Sequence, residues 1–301
     1  MKFGYTVEAP TNWPELLRIA RDIDKRSNFD SFWVSDALVA NGRLDEPRLD
    51  SWTALAAIAQ ATSRIRLGVH VSGNAYRHPA VLAKMVTTID QVSNGRVELG
   101  IGAGWPGESR RYGIEFWRRA ERVERLDEAL EVIKLLWTQP RPKFEGKYYR
   151  LDEPPYSPPN VQQPHPPILI GGGSDAMLRV IAKHADAVSP MIDMSAAKLK
   201  IDAYCREIGR DPGALRWEGG GQLFLNDDPL IQERAVRWAM EQYSQTEEEM
   251  RGQLFGSLEQ VRARVQQQAD AGAGEINVFQ LPRIHTKSLL RFSEEIIPQF
   301  R

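Results

Sequence analysis

Residues 65–105 read IRLGVHVSGNAYRHPAVLAKMVTTIDQVSNGRVELGIGAGW, and this stretch decides the fold. Ile65 to Val71 is a mostly apolar run rich in branched residues, the pattern of a strand covered on both faces. Pro79 suits a first helical turn, where a missing N–H costs nothing, and Val81, Leu82, Met85, Ile89 and Val92 follow at helical spacing. Asn94-Gly95 ends that helix, because glycine enters the left-handed region cheaply. Arg96 to Ile101 is a second buried strand, running into Gly102-Ala103-Gly104-Trp105. A β-α-β unit of this kind puts its function at the C-terminal ends of the strands, where loops can approach a ligand.

Outward from this unit, strand and helix signals alternate. Lys2–Val7 and Ser31–Ser35 read as strands, separated by a helix that Asn12 and Pro14 start and that runs through Leu16, Leu17, Ala20 and Ile23. A helix over Ser51–Thr62 leads into the unit already described. Beyond it, Arg118–Trp137 carries Val123, Leu126, Leu130, Ile133 and Trp137 on one face. Prolines then crowd Gln139–Pro167, with a small hairpin expected at KFEGKYY, and this segment reads as an excursion over the barrel. Alternation resumes with strands at Ile168–Ile170, Ala187–Pro190, Leu215–Leu225 and Glu275–Leu281. Helices are expected at Ser174–His184 and Ala196–Ile208, up to about Ala271, and finally at Ser288–Phe300. Eight strands alternating with helices predict an α/β chain folded as one (β/α)8 TIM barrel over residues 1–301, the excursion lying between helix four and strand five. A doubly wound sheet is the alternative.

Composition narrows the function. The 301 residues suit one barrel, and 42% hydrophobic with 26% charged residues fit a soluble globular protein. A net charge of -1 gives no electrostatic reason to expect nucleic acid or an anionic membrane as partner. No apolar run is long enough for a signal peptide or a bilayer span. The single cysteine, Cys205, cannot form an internal disulfide and suits a reducing, cytoplasmic location. It sits on a helix face, where burial explains it.

GAGWPG over Gly102–Gly107 formally matches G-x-G-x-x-G, but Pro106 and a polar loop follow where a dinucleotide fold needs a helix to open. Gly171-Gly172-Gly173-Ser174 is different, because it joins a buried strand to a helix. Backbone N–H groups and the helix dipole at such a turn make a phosphate cradle, although a tight strand-to-helix turn could use glycine too. Glu8, Asp36, His70 and Trp105 fall at expected strand ends; each could equally be a rim charge, a cap or a wall. Arg125 can pair with Asp127, Glu128 or Glu121 along its helix, and Arg110 and Arg111 are further basic candidates. His78 reads as a helix-start residue, and His165, His184 and His285 as structural. No metal-ligand spacing such as H-E-x-x-H occurs, and no G-x-S-x-G elbow.

Arg77, Pro79-Ala80, Leu82-Ala83-Lys84, Gly95-Arg96 and Leu99–Trp105 resemble, in that order, the luciferase-like flavin or deazaflavin oxidoreductases. RLDEALEVIKLLW (Arg125–Trp137), FEGKYY (Phe144–Tyr149), PPILIGGGS (Pro166–Ser174) and GRDP (Gly209–Pro212) extend the resemblance from Lys2 to about Gln280. It implies a (β/α)8 barrel that binds coenzyme F420, or alternatively FMN, with a small-molecule substrate and a homodimeric assembly. Hydride transfer is the implied activity, and GAGW and RLDEAL look like the deazaflavin branch. An FMN-dependent monooxygenase and a non-catalytic flavin-binding protein are the alternatives. The resemblance puts a non-prolyl cis peptide at His70-Val71 against the cofactor ring. It puts the ring beside Gly102, Ala103, Gly104 and Trp105, and the cofactor phosphate at Gly171, Gly172, Gly173, Ser174 and Arg125.

Two departures matter. Deazaflavin members commonly read Asp-His after strand two, whereas this chain reads Asp36-Ala37, and a glutamate that some members carry is Trp105 here. With Ala37 in that place, His70 is the best side-chain candidate for a ring-side proton donor, since a pKa near 6.5 suits proton transfer at neutrality. Asp36 and Glu8 are the further catalytic candidates, each needing burial to hold a proton. Trp52, Leu55 and Ile58 offer apolar surface for a dimer, which burial inside one subunit explains equally well.

Overall fold

Eight parallel strands close on themselves. They are β1 (Lys2–Val7), β2 (Ser31–Val34), β3 (Arg66–Val69), β4 (Val97–Gly102), β5 (Ile168–Gly172), β6 (Ala187–Pro190), β7 (Arg216–Leu225) and β8 (Glu275–Gln280). Each pairs with its successor, and β8 returns to β1 through Lys2↔Glu275 to Thr6↔Phe279. The structure, a computed structural model, describes residues 1–7, 12–39, 48–105, 109–243, 246–280 and 286–301.

The flanking helices are α1 (Trp13–Arg26), α2 (Ser51–Ala61), α3 (Pro79–Ser93), α4 (Arg119–Thr138), α5 (Asp175–His184), α6 (Met194–Glu207), α7 (Pro229–Tyr243), α8 (Glu247–Gly252), α9 (Leu258–Asp270) and α10 (Thr286–Arg291). Side chains start most of them: Asn12, Asp50, Ser174 and Asp193 each accept from a first-turn backbone N–H, and His78 does so through Nδ1. Asn94 at φ 53° ends α3 as the sequence implied. The main core lies between helices and strands, with Leu16, Leu55, Ile58, Val86, Leu126 and Ile133 packed on Phe32, Leu67, Leu99 and Ile170.

The inward face departs from the expectation of apolar strands. Alternate residues place Arg66, His70, Glu98, Arg216, Glu218, Glu275 and Asn277 inside the barrel, bonded to one another and to Thr6 and Ser31. Trp33 fills the centre, its ring lying where a Cβ on Gly68 would stand 2.1 Å away.

Several boundaries moved for physical reasons. In α3 the buried face is Leu82, Val86 and Ile89, while Val81 and Val92 face solvent. A short strand, Leu254–Gly256, pairs with the end of β7 where only helix was expected. The final helix is regular only to Arg291, then widens over Phe292–Ile296 and tightens over Ile297–Phe300, because Pro298 cannot donate to the ladder. Trp52, Leu55 and Ile58 are buried within the subunit, so they offer no dimer surface. The hairpin forms as Lys143–Glu145 against Arg150–Asp152. The rest of the excursion does not cover the mouth. Lys84, Asp90 and Gln91 of α3 hold Ser157, Val161, Gln162 and Pro159, and Gln162 also bonds Arg66 at the opposite end of the barrel.

Candidate functional site

A cavity of about 1090 Å³ opens at the C-terminal ends of the strands, at the large end of small-molecule sites. Its floor is built around the end of β3. The His70-Val71 peptide is cis, as the resemblance implied, and Val71 projects toward β4 and β5. Glycines make that possible. A Cβ on Gly100 would stand 2.0 Å from the Val69 carbonyl oxygen, and one on Gly102 would stand 3.2 Å from Val71 Cγ2. Gly171 faces the same valine at 3.7 Å. The glycines of LGIGAG therefore admit the backbone and side chain of the neighbouring strand, and the valine becomes a wall of the cavity.

Beside Val71, the His70 ring sits edge-on to Trp33 and Phe279 at 5.8 and 5.2 Å between centroids. Its Nε2 lies 2.8 Å from Glu218 Oε1, with 10% and 5% of the two side chains exposed. Burial alone would push the imidazole pKa down, but the Glu218 carboxylate outweighs it and holds the pKa above the ordinary value, helped by His70's own backbone carbonyl. Asn277 Nδ2 donates to Glu218 Oε2 at 3.3 Å and Thr6 Oγ1 to Asn277 Oδ1 at 2.9 Å, which fixes the carboxylate.

Deeper in the barrel, Glu98 is 3% exposed and bonds Arg66 and Arg216. Burial opposes its charge, yet the two guanidinium groups hold its pKa below the usual carboxylate range. Glu275 shares Arg216 less closely, at 3.5 Å against 2.6 Å for Glu98. Burial, with Glu98 and Glu218 nearby, pushes its pKa up to about 7.

Asp36 lines the cavity, but its oxygens are spent. Arg77 donates to them at 2.7 and 3.3 Å, and Ser72 Oγ donates to Oδ2 at 2.7 Å. Trp52 Nε1 in turn donates to Ser72 at 3.0 Å, and Arg77 also reaches Asp50. This network ties the turn after Val71 to the start of α2.

The glycine turn forms the opposite wall. Gly171, Gly172, Gly173 and Ser174 all line the cavity at the N-terminus of α5, where first-turn N–H groups lack helical partners. Ser174 Oγ accepts from Met177 N at 3.4 Å as the helix cap and keeps its own proton to donate. A Cβ on Gly172 would meet Met177 at 3.0 Å, so this glycine serves packing as well as access. Arg119 and Arg122 at the start of α4 line the cavity too. Arg122 stacks on Phe116 at 4.3 Å and donates through Nη1 to the Gly104 carbonyl at 2.6 Å, while its buried Nε has no partner among the described residues.

Of the residues singled out in the sequence, His70, Val71, Asp36, Gly102, Ala103, Gly104, Trp105, Gly171, Gly172, Gly173 and Ser174 come together on this cavity. Trp105 is 67% exposed at its rim. Arg125 does not reach it: one turn further along α4, it lies between Trp117 and Tyr148 and pairs with Glu121 at 2.8 Å. Arg111 is exposed and does not line the cavity. Glu8, Pro106, Gly107, His285 and the side chain of Arg110 lie outside the described residues. No residue of the proline-rich excursion lines the cavity. Glu218, Arg122 and Gly219–Gly221 escaped sequence reasoning. An acid directly before three glycines in a strand, and an arginine one turn before Arg125, were the available signals. Among the described residues Asp127, Glu131 and His184 lie close enough to share a cation, but Lys183 already bridges both carboxylates.

The site is thus the glycine-rich mouth of a parallel barrel, with Val71 as a wall and the His70–Glu218 pair buried beside it. The chain belongs to the luciferase-like monooxygenase family, whose model matches residues 1–278, and members of this family are oxidoreductases or monooxygenases. It is 34% identical over 175 residues to an F420-dependent glucose-6-phosphate dehydrogenase of Kineococcus radiotolerans, covering 58% of this chain and 51% of that protein. It is 27% identical over 215 residues to an FMNH2-dependent dimethylsulfone monooxygenase of Pseudomonas putida, covering 67% of this chain and 59% of that protein. The alignments thus span little more than half the length of these curated relatives. A solved F420-dependent secondary alcohol dehydrogenase in complex with an F420-acetone adduct superposes with a TM-score of 0.86 at 18% identity, covering 100% of this chain and 99% of that one, which shows the shared fold. Among the described residues no helix is long and apolar enough to cross a membrane.

Proposed function

We propose that the chain is an F420-dependent oxidoreductase that moves a hydride between the deazaflavin and a small organic substrate. The observation that carries this reading is the pair of anion-seeking features on the cavity wall. The α5 turn offers backbone N–H groups, and Arg122 offers a buried Nε without a partner. Two such points suit a cofactor tail with more than one anionic group, which the deazaflavin has and FMN, with one phosphate, lacks.

Bound deazaflavin supplies a carbon that gives or takes two electrons as hydride. The chain supplies the rest. The glycine turn, Ser174 and Arg122 would hold the cofactor's tail, and Val71 with the Gly102–Gly104 backbone would form the wall beside its ring. His70 Nε2 is hydrogen-bonded to Glu218, and the ring engages its own backbone carbonyl as well. The Glu218 carboxylate favours the charged imidazole, and the pair holds the His70 ring in place at the floor of the cavity. Asp36, bonded by Arg77 and Ser72, holds the turn. The assembly we infer is a homodimer.

FMN-dependent monooxygenation is the second reading, favoured by Ala37 and Trp105, where the deazaflavin pattern departs. Anaerobic mixing with reduced F420 or reduced FMN, followed by oxygen, separates the two. The proposal expects a stable deazaflavin complex and no protein-dependent oxygen uptake. Protein-dependent oxygen uptake with reduced FMN but not with reduced F420 contradicts it.

A further inference from the structure

The cavity extends into the wall of the barrel, where β6 and β7 part. β6 and β7 pair only at Ala187↔Arg216 and Val188↔Trp217, although β6 stays paired with β5 as far as Pro190 and β7 with β8 as far as Leu223. Past Trp217 the two strands part. The backbone of β7 on that edge is served by side chains instead: Gln268 bonds both the N–H and the carbonyl of Gly220, and Gln253 Oε1 accepts from Gln222 N at 3.0 Å. Glycine is required here. Gly220 and Gly221 have φ of 128° and 153°, and a Cβ on Gly219 or Gly221 would stand 2.5 Å from Gln268 Oε1 or Gln253 Oε1. The cavity lining runs past these glycines to Gln267 and Ala271 at the end of α9. Gln267, itself exposed, belongs to this lining, so the cavity extends toward the barrel's flank.

The two ends differ in chemistry. Arg119 and Arg122 stand at the mouth, whereas the side chains around Gly219–Gly221 are amides; Met191, Ile192 and Asp193 also line the cavity, Asp193 being engaged as the cap of α6. The bonds to β7 use the carbonyl oxygens of Gln253 and Gln268 and one N–H of Gln268, leaving amide N–H donors for the cavity. An anionic cofactor tail gains nothing there. We propose that the gap between β6 and β7 is a subsite for the body of an elongated, uncharged substrate bearing a carbonyl-type acceptor, whose reacting end lies near His70 and Glu218. This rests on the cofactor reading only in calling the occupant a substrate.

Calorimetric titration with N-methylhexanamide and N-methyldecanamide tests it on the wild type, Gln267→Trp and Gln267→Ala, each with and without F420. Each methylene buried tightens binding roughly fourfold, so partial burial of the extra four predicts at least about a tenfold preference for the longer amide in the wild type. Gln267→Trp, which plugs the flank without touching β7, is expected to abolish that preference, while Gln267→Ala keeps it. A preference that survives in Gln267→Trp, or no preference or binding in the wild type, overturns the subsite. F420 that does not bind refutes the cofactor reading, and the amide titrations then stand on their own.

Discussion

Replacing Glu275 by glutamine probes the buried charge beneath the site. The carboxyl lies 3.1 Å from Ser31 Oγ and 3.5 Å from Arg216, and its pKa is pushed from 4.5 to about 7. A carboxyl whose folded pKa is raised costs stability once it must ionise. Between about pH 4.5 and 7 the unfolded chain releases this proton while the folded chain retains it, so stability falls through that window and the cost is complete above it. A gap of about 2.5 pH units at about 1.4 kcal/mol each amounts to about 3 kcal/mol. Glutamine keeps an acceptor for Ser31 and cannot ionise, but it gives up the attraction to Arg216. Urea denaturation should therefore find Glu275→Gln within about 0.5 kcal/mol of the wild type at pH 5 and more stable by about 2 kcal/mol at pH 8. A variant no more stable than the wild type at pH 8 would refute the argument that Glu275 is destabilised by burial and by Glu98 and Glu218.

Glu218→Gln removes the charge that raises the His70 pKa, so proton NMR should show the imidazole titrating lower than in the wild type; an unmoved titration contradicts the pair. The pair's contribution to stability is full below about pH 6.5 and fades as pH rises through the higher folded value, so this variant should lose more stability at pH 6 than at pH 9. Gly172→Val places a branched side chain 3.0 Å from Met177 and should cost about 1–3 kcal/mol in urea denaturation as well as cofactor affinity; unchanged stability would show that Met177 yields freely. Light scattering at micromolar concentration should report a dimer, and a monomer would remove the homodimer inference.

The barrel was legible because each βα unit repeats two periods that backbone geometry enforces. Caps at Asn12, Asp50, His78 and Ser174 and the left-handed stop at Asn94 then set the boundaries. What escaped notice was a finer alternation in the same strands. Arg66 and His70, Glu98, Arg216 and Glu218, and Glu275 and Asn277 are polar at inward positions, and a strand judged by its overall apolar content conceals them. Several of the residues that carried the family resemblance hold the frame. Arg96 clamps the carbonyls of Ala59, Thr62, Ile65 and Ser93, Arg77 joins Asp36 to Asp50, and Lys84 holds the excursion at Ser157. Glycine spacing pointed to the mouth but not to its purpose. Only the registers of β3 against β4 and of β4 against β5 show that Gly100, Gly102 and Gly171 surround Val69 and Val71. Arg122 rather than Arg125 reaches the cavity because residues three apart on a helix stand a full turn apart along its axis, a distinction that motif matching does not make.

Equilibrium fluorescence titration of F420 and FMN against the wild type and Arg122→Ala tests the central claim most directly. The account predicts tighter binding of F420 than of FMN by the wild type. It also predicts roughly a tenfold or greater loss of F420 affinity on removing the guanidinium, in line with a charge-assisted hydrogen bond. Tighter binding of FMN, or F420 affinity unchanged in Arg122→Ala, would contradict it.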